Sequence, residues 1–404
     1  MLRKGAETTL MSGKPSTEPT YRRRRQWSIA VGAALVVLLV FVVVYVYWQR
    51  EIVGTRDYAG EGNGEVVLVR VEDGDTVSGL VPQLLEDNVV GSRSAIISAA
   101  EDAERLGQFN DLQAGYYALQ QKMSAASALA ALTDETRRLG VIDIPTGTAL
   151  DDTVVVSGDP RIGILSMIAS NSCREGLTDG LDSCVTVDQL HEAIATTDPV
   201  DLGVPDWAVT EVAALGADGR RIEGLISPGV HLFDPTAEPV EIIRQLLIAS
   251  AEEYEGTGLV EMADNVGLTP YQVLTAASLV EREAPAGDFD KVARVILNRL
   301  AAGQMLQFDS TVNYDLDAQE VATTDEDRAR ETPWNTYAKE GLPDSPIASP
   351  GVEALQAVER PADGDWLYFV TIDQDGTTVF SSDYESHEVA TAEAQANGVL
   401  DSDR

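Results

Sequence analysis

The run from Trp27 to Trp48 constrains this chain more than any other stretch. It holds Ile29, Val31, Leu35 to Leu39, Val40, Phe41 and Val42 to Val46 without a single charge. Its length suits the hydrocarbon core of a bilayer. Trp27, Tyr45, Tyr47 and Trp48 stand at its ends, where interfacial aromatics collect, and Arg22 to Arg25 precede it directly. The expectation is a single-pass anchor over 27–48, a disordered cytoplasmic tail over 1–26, and everything beyond on the outer side of the membrane. A cleaved signal peptide is the competing reading. The length of the run, the lack of a small-residue cleavage pattern and the Tyr45-Val46-Tyr47-Trp48 ending speak against it.

Charge divides at the same place. The first fifty residues carry eight Lys/Arg against two Asp/Glu. The rest hold 21 against 64, a balance of −43 within a total of −37. So acidic a chain is a poor partner for nucleic acid, and the plain meaning of the acid is a solvated surface. With 404 residues, the chain is long enough for two or three domains with real cores.

Residues 49–64, with Gly54, Gly60, Gly62 and Gly64, read as a linker. A small unit over 65–138 follows in the order strand, helix, helix, strand, helix. Val66 to Val71 is β-like, Thr76 and Ser124 are helix caps, and Leu112 to Leu119 is the second strand. A larger unit spans 139–404. Gly140 to Pro145 and Ile222 to Phe233 read as β-like, the latter with a turn inside. Pro239 to Tyr254, Tyr271 to Glu283 and Phe289 to Leu300 read as helices, the second capped by Thr269-Pro270. Asp373-Gln374-Asp375-Gly376 joins two strand-like runs as a hairpin. The fold class expected is α+β.

Cys173 and Cys184 are the only cysteines. Outside a membrane a disulfide suits them better than a metal, since none of the three histidines stands beside them. No phosphate loop, zinc motif or nucleophile elbow occurs, so neither a metal nor a cofactor is expected. Glu281 closes the apolar run Ala276-Ala277-Ser278-Leu279-Val280. Two readings stay open: a desolvated general acid, or a solvated charge at a helix end paired with Arg282 or Lys291. Position alone favours the second. Glu283 projects about 200° around the helix from Glu281, so the two face apart. Gln307, Asp309 and Thr311 alternate and share one face if the segment is extended. Trp334-Asn335-Thr336-Tyr337 offers stacking surface with amide and hydroxyl groups. His191, His231 and His387 read as structural or surface residues.

The ordered motifs resemble those of the membrane-anchored endolytic murein transglycosylases, the YceG-like proteins. They are Ile222-Glu223-Gly224-Leu225; Ala-Ser-x-Val-Glu-x-Glu at 277–283; Lys-Val-Ala-x-Val-x-x-Asn-Arg-Leu at 291–300; and Leu-Gln-x-Asp-x-Thr-Val-x-Tyr at 306–314. Asn-Thr-Tyr at 335–337, Gly-Leu-Pro at 341–343, Pro-Ile-Ala-x-Pro-Gly at 346–351 and Leu-Tyr-Phe-Val at 367–370 complete the series. The resemblance implies a LysM-like subdomain at 65–138 and a catalytic domain at 139–404. It implies Glu281 as the catalytic acid and base, with Gln307, Asp309, Thr311, Asn335 and Tyr337 lining a cleft for peptidoglycan strands. It also implies 1,6-anhydro-N-acetylmuramyl products and cell-wall synthases as further partners. Pro228-Gly229-Val230-His231 departs from the family's Pro-Asp-Thr-Tyr-like segment, and Trp334 replaces a usual Tyr. A water-using muramidase and a non-catalytic glycan-binding scaffold are the alternatives.

Overall fold

Two separate apolar cores form, one drawn from residues 69–132 and one from residues 142–358. The computed structural model describes residues 19–48, 56–105 and 112–399, except 157, 159, 175, 179–180, 182–183, 286, 317 and 320–322. In the first helix, α1 (Pro19–Trp48), the described side chains are those of 31–46, and they are exposed. Among the described residues no helix is long and apolar enough to cross a membrane. Both ends of the run expected to span 27–48 lie outside the described side chains, as does most of the tail at 1–26.

The small unit follows its predicted order: β1 (Val66–Val71), α2 (Val77–Glu86), α3 (Arg93–Arg105), β2 (Gly115–Gln120), α4 (Ala125–Leu132) and the short β3 (Arg138–Leu139). β2 lies between β1 and β3, antiparallel to both. Thr76 and Ser124 cap their helices as the sequence suggests, accepting from Gly79 N and Ser127 N, each at 3.2 Å. Val69, Leu84, Ile96, Leu119 and Leu132 fill the core. The linker expectation for 49–64 needs correction over its described part. Asp57 accepts Ala125 N at 3.0 Å, and the Tyr58 hydroxyl donates to Asn88 at 2.7 Å, so this segment is bound to the small unit.

The large unit is mostly helical. β4 (Val141–Ile144) pairs antiparallel with β5 (Gly229–Leu232). Between them lie α5 (Ile164–Ser172), α6 (Val187–Thr196) and α7 (Val209–Ala214). After β5 come α8 (Pro239–Gly256), α9 (Leu259–Val266), α10 (Pro270–Glu283), α11 (Phe289–Ala301), α12 (Asp309–Asn313), α13 (Asp325–Arg328) and α14 (Val352–Glu359). The hairpin β6 (Tyr368–Thr371) and β7 (Thr378–Ser381) and α15 (Tyr384–Ala396) close the chain. The β-like reading of Ile222 to Phe233 holds only for Gly229–Leu232. Upstream, Gly224 takes a left-handed φ of 75° and the chain turns.

Cys173 and Cys184 are joined by a disulfide, with Cα atoms 5.0 Å apart. Val185 N donates to Ser172 Oγ at 3.1 Å beside it, so the base of the loop is fastened twice. Breaking the bridge with Cys173→Ser is expected to lower unfolding free energy by about 2–3 kcal/mol through the freed loop entropy. Chemical denaturation measures it, and no change would mean that the hydrogen bond alone holds the loop.

Candidate active site

Helix α10 presents Glu281, and its sequence fixes where it starts and what it buries. Thr269 and Gln272 form a capping box and Pro270 occupies the first turn. From Val273 to Val280 every residue is buried, packed against α9, α11 and α14. Glu281 is half-buried where the helix leaves this core.

Two loops meet at its carboxylate. Gly351 N donates to Glu281 Oε2 at 3.0 Å, while Oε1 accepts no hydrogen bond among the described residues. A Cβ at Gly351 would stand 2.8 Å from Thr146 Cγ2 and 3.4 Å from Glu281 Oε2, so only glycine allows this approach. The loop carrying Gly351 is held at three further points. Ile347 N donates to Ser278 Oγ (3.1 Å), one helical turn before Glu281. Ser349 Oγ donates to Ile226 O (2.6 Å). Ser349 also exchanges backbone bonds with Gly147 and Thr148, at 2.8 and 2.9 Å. The Ala-Ser-x-Val-Glu and Pro-Ile-Ala-x-Pro-Gly stretches are thus mechanically linked: one clamps the other beside the acid.

A cavity of about 470 Å³ is lined among others by Arg282, next to Glu281 in the chain, and by Thr146, Thr148, Asp151, Arg161 and Gln319. A smaller cavity of about 270 Å³ is lined among others by Ile144, Pro228, Gly229, Glu253, Tyr254, Gly351 and Val352. Thr146 walls both, and Glu281 stands next to each through its neighbours: Arg282 lines the larger cavity, and Gly351, which donates to Glu281, lines the smaller. Asp151 is paired with His191 at 2.8 Å, and Glu253 accepts from Ser227 Oγ at 2.7 Å. Both nearby carboxylates therefore already have partners. Among the described residues no cluster of His, Cys, Asp or Glu is arranged to hold a metal.

Glu283 turns the other way, as its helical position requires, and accepts Ser310 N at 3.2 Å. Burial raises its pKa, against the bond from Ser310. Beyond Ser310 lies a polar cluster around Asp309. Arg328 pairs with Asp309 at 3.0 Å, and the Tyr337 and Thr323 hydroxyls donate to Asp309 Oδ1, each at 2.8 Å. Burial pushes the Asp309 carboxyl up, but these bonds together outweigh it and hold it below the usual range.

The extended reading of 307–311 is corrected here. Gln307 is exposed with a left-handed φ of 55°, and Asp309–Asn313 is a helical turn, so the three residues do not share a face. Thr311 is fully buried, donating to Phe308 O and sharing a 2.9 Å bond with Thr336 Oγ1. Asn335 is also buried and donates to the carbonyls of Arg328 and Arg330. Trp334 offers no stacking surface: it is buried, its indole N–H donates to Ser345 at 2.8 Å, and the Arg220 guanidinium covers its ring at 4.2 Å. In the 291–300 motif, Asn298 and Arg299 fasten the C-terminal hairpin by donating to the carbonyls of Trp366 (2.9 Å) and Leu367 (2.6 Å).

Sequence reasoning passed over Glu223, which is fully enclosed. Leu150 N donates to both of its oxygens at 3.1 Å and Tyr314 OH to Oε2 at 2.9 Å. It therefore supports the loop that runs through Thr146 to Ala149. The available signal was a charge placed between Ile222 and the turn glycine Gly224. Burial raises its pKa from 4.5 to about 7, against the bonds from Leu150 and Tyr314. The folded state then keeps a proton that the unfolded chain releases above pH 4.5, so stability is fully present below that pH and is lost as pH rises through about 7. The loss amounts to roughly 3 kcal/mol. Glu223→Gln should flatten this slope in denaturation curves taken across that window; parallel curves for the two proteins would contradict it.

Fold and site together define an α+β protein with a half-buried carboxylate whose neighbours line two cavities, and a small strand–helix unit. The chain belongs to the YceG-like family, whose profile matches residues 69–393. A relative from Bacillus subtilis (strain 168), named endolytic murein transglycosylase, is 27% identical over 327 residues, covering 80% of this chain and 83% of its own. One of the same name from Streptococcus pneumoniae serotype 2 (strain D39) is 27% identical over 299 residues, 70% of this chain and 51% of its own; the chain spans about half its length. A solved structure of a yceG-like protein from Listeria monocytogenes aligns with a TM-score of 0.49 at 22% identity, covering 81% of this chain and 99% of that one.

Proposed function

We propose that this protein is an endolytic lytic transglycosylase that cuts peptidoglycan strands between N-acetylmuramic acid and N-acetylglucosamine. The observation that carries the reading is Glu281: one oxygen is tethered by Gly351 N–H, the other has no hydrogen-bond partner among the described residues, and its neighbours Arg282 and Gly351 each line a cavity. The names of the relatives support the same substrate and reaction. In this reading Oε1 gives its proton to the glycosidic oxygen as the bond to the muramyl anomeric carbon breaks. The resulting carboxylate then takes the proton of that sugar's 6-hydroxyl, whose oxygen attacks the anomeric carbon and closes the 1,6-anhydro ring. Glu281 ends protonated, ready for another turn. One carboxyl group suffices, whereas hydrolysis by a typical glycosidase needs two.

The competing reading is a muramidase in which Asp151 or Glu253 activates water, since each lines one of the cavities. Both carboxylates being already bonded counts against it. The same proposal places residues 27–48 as a membrane anchor, with the N-terminus cytoplasmic and the site outside. The endolytic part is tested by the length distribution of un-crosslinked strands during digestion with the full chain. Internal cutting shortens long strands early. Early accumulation of disaccharides with long strands persisting would overturn it.

A further inference from the structure

The larger cavity beside Glu281 has a feature that the reaction does not use. Arg161 and Arg282 both line it, in a region of the chain that is otherwise strongly acidic. Among the described residues neither guanidinium has an ion pair or hydrogen bond. The cavity's other charge, Asp151, is taken by His191. Arg282 is half-buried and directly follows Glu281. Arg161 is exposed and sits on a short ladder, with two backbone bonds to Thr153 of 2.8 and 2.9 Å. Burial and then the charge of Arg161 lower the Arg282 pKa, against the opposing pull of Glu283, Glu223 and Glu281, none of which bonds to the guanidinium. Two cations on one cavity with no carboxylate at bonding distance among the described residues leave a place for an anion.

We propose that Arg161 and Arg282 form a subsite for a carboxylate of the substrate's muramyl residue. This rests on the peptidoglycan reading above and deepens it by fixing strand direction. The acid-bearing muramyl sugar enters the cavity of Thr146, Thr148, Arg161 and Arg282. The neutral N-acetylglucosamine enters the smaller cavity, whose lining residues include no cation. The carboxylate has two chemical sources, the stem peptide or the lactyl group freed when the peptide is removed. Thr146, Thr148, Thr153 and Gln319 are at hand in the same cavity for its hydroxyl and amide neighbours.

The test measures dissociation constants of full-length protein in detergent, in a Glu281→Gln background, for three strand preparations. They are peptide-bearing strands, amidase-stripped strands, and peptide-bearing strands whose carboxyls have been converted to amides. Arg161→Gln with Arg282→Gln should weaken binding of the charged strands by about tenfold or more, leave the amidated strands unchanged, and flatten the salt dependence. Tighter parental binding of peptide-bearing strands assigns the stem peptide as the source; tighter binding of stripped strands assigns the lactyl group. If the double variant does not fold, the exposed Arg161→Gln alone should give part of the same selective loss. Equal weakening of charged and amidated strands, or no weakening, overturns the subsite. Cleavage persisting in the Glu281→Gln background overturns the role of Glu281 alone, because the affinities read the subsite independently.

Discussion

Glu281→Gln should leave a folded protein that no longer forms anhydro ends, with a rate loss on the order of 10²–10⁴-fold. The amide is isosteric with the acid, so an oxygen remains to accept Gly351 N–H, and the buried face of α10 stops at Val280. What disappears is the proton that Oε1 would deliver and the base that would take one back. Thermal unfolding within a few degrees of the parent, together with the lost activity, separates chemistry from folding. Full activity in a folded variant would remove Glu281 from the reaction.

Gly224→Ala should cause the largest loss of stability, about 2–5 kcal/mol from the left-handed backbone and overpacking combined. The φ of Gly224 is 75°, and a Cβ there would lie 2.4 Å from Pro346 Cβ and 2.9 Å from Ala348 O. Those atoms belong to the loop that Ser278 and Ser349 hold and that ends at Gly351. Relief of the clash must therefore displace the segment bonded to Glu281. Activity should fall further than the unfolded fraction explains. Denaturant midpoints paired with rates measured well below the transition read the two effects separately. A variant with parental stability would mean that this loop yields freely.

The helices were legible where caps and periodicity agreed. Thr269-Pro270 with Gln272 marks the start of α10, and the apolar face up to Val280 marks its burial. The hairpin turn at Asp373 to Gly376 was legible for the same reason, with Thr377 N bonded to Asp373 Oδ1 at 2.9 Å. Opposite facing of Glu281 and Glu283 followed from helix geometry alone. The 306–314 segment misled because a helix of five residues is too short to show a period, and because a left-handed Gln307 breaks the alternation. Thr311, Asn335 and Trp334 looked like surface chemistry. Their polar atoms instead satisfy buried partners, which composition cannot distinguish. The loops around Glu281 were invisible because their bonds join residues 147–148 to 349 and 278 to 347, far apart in the chain. The same distance hid the pairing of Arg161 with Arg282 in one cavity.

The central claim is that the sugar's own hydroxyl, not water, attacks the anomeric carbon while Glu281 moves the proton. Digestion of un-crosslinked strands by the full chain in heavy-oxygen water, followed by mass analysis of the new ends, tests it most directly. The account predicts 1,6-anhydromuramyl ends without label, absent when Glu281→Gln replaces the parent. Labelled reducing ends, one water heavier, would contradict it and make the protein a muramidase.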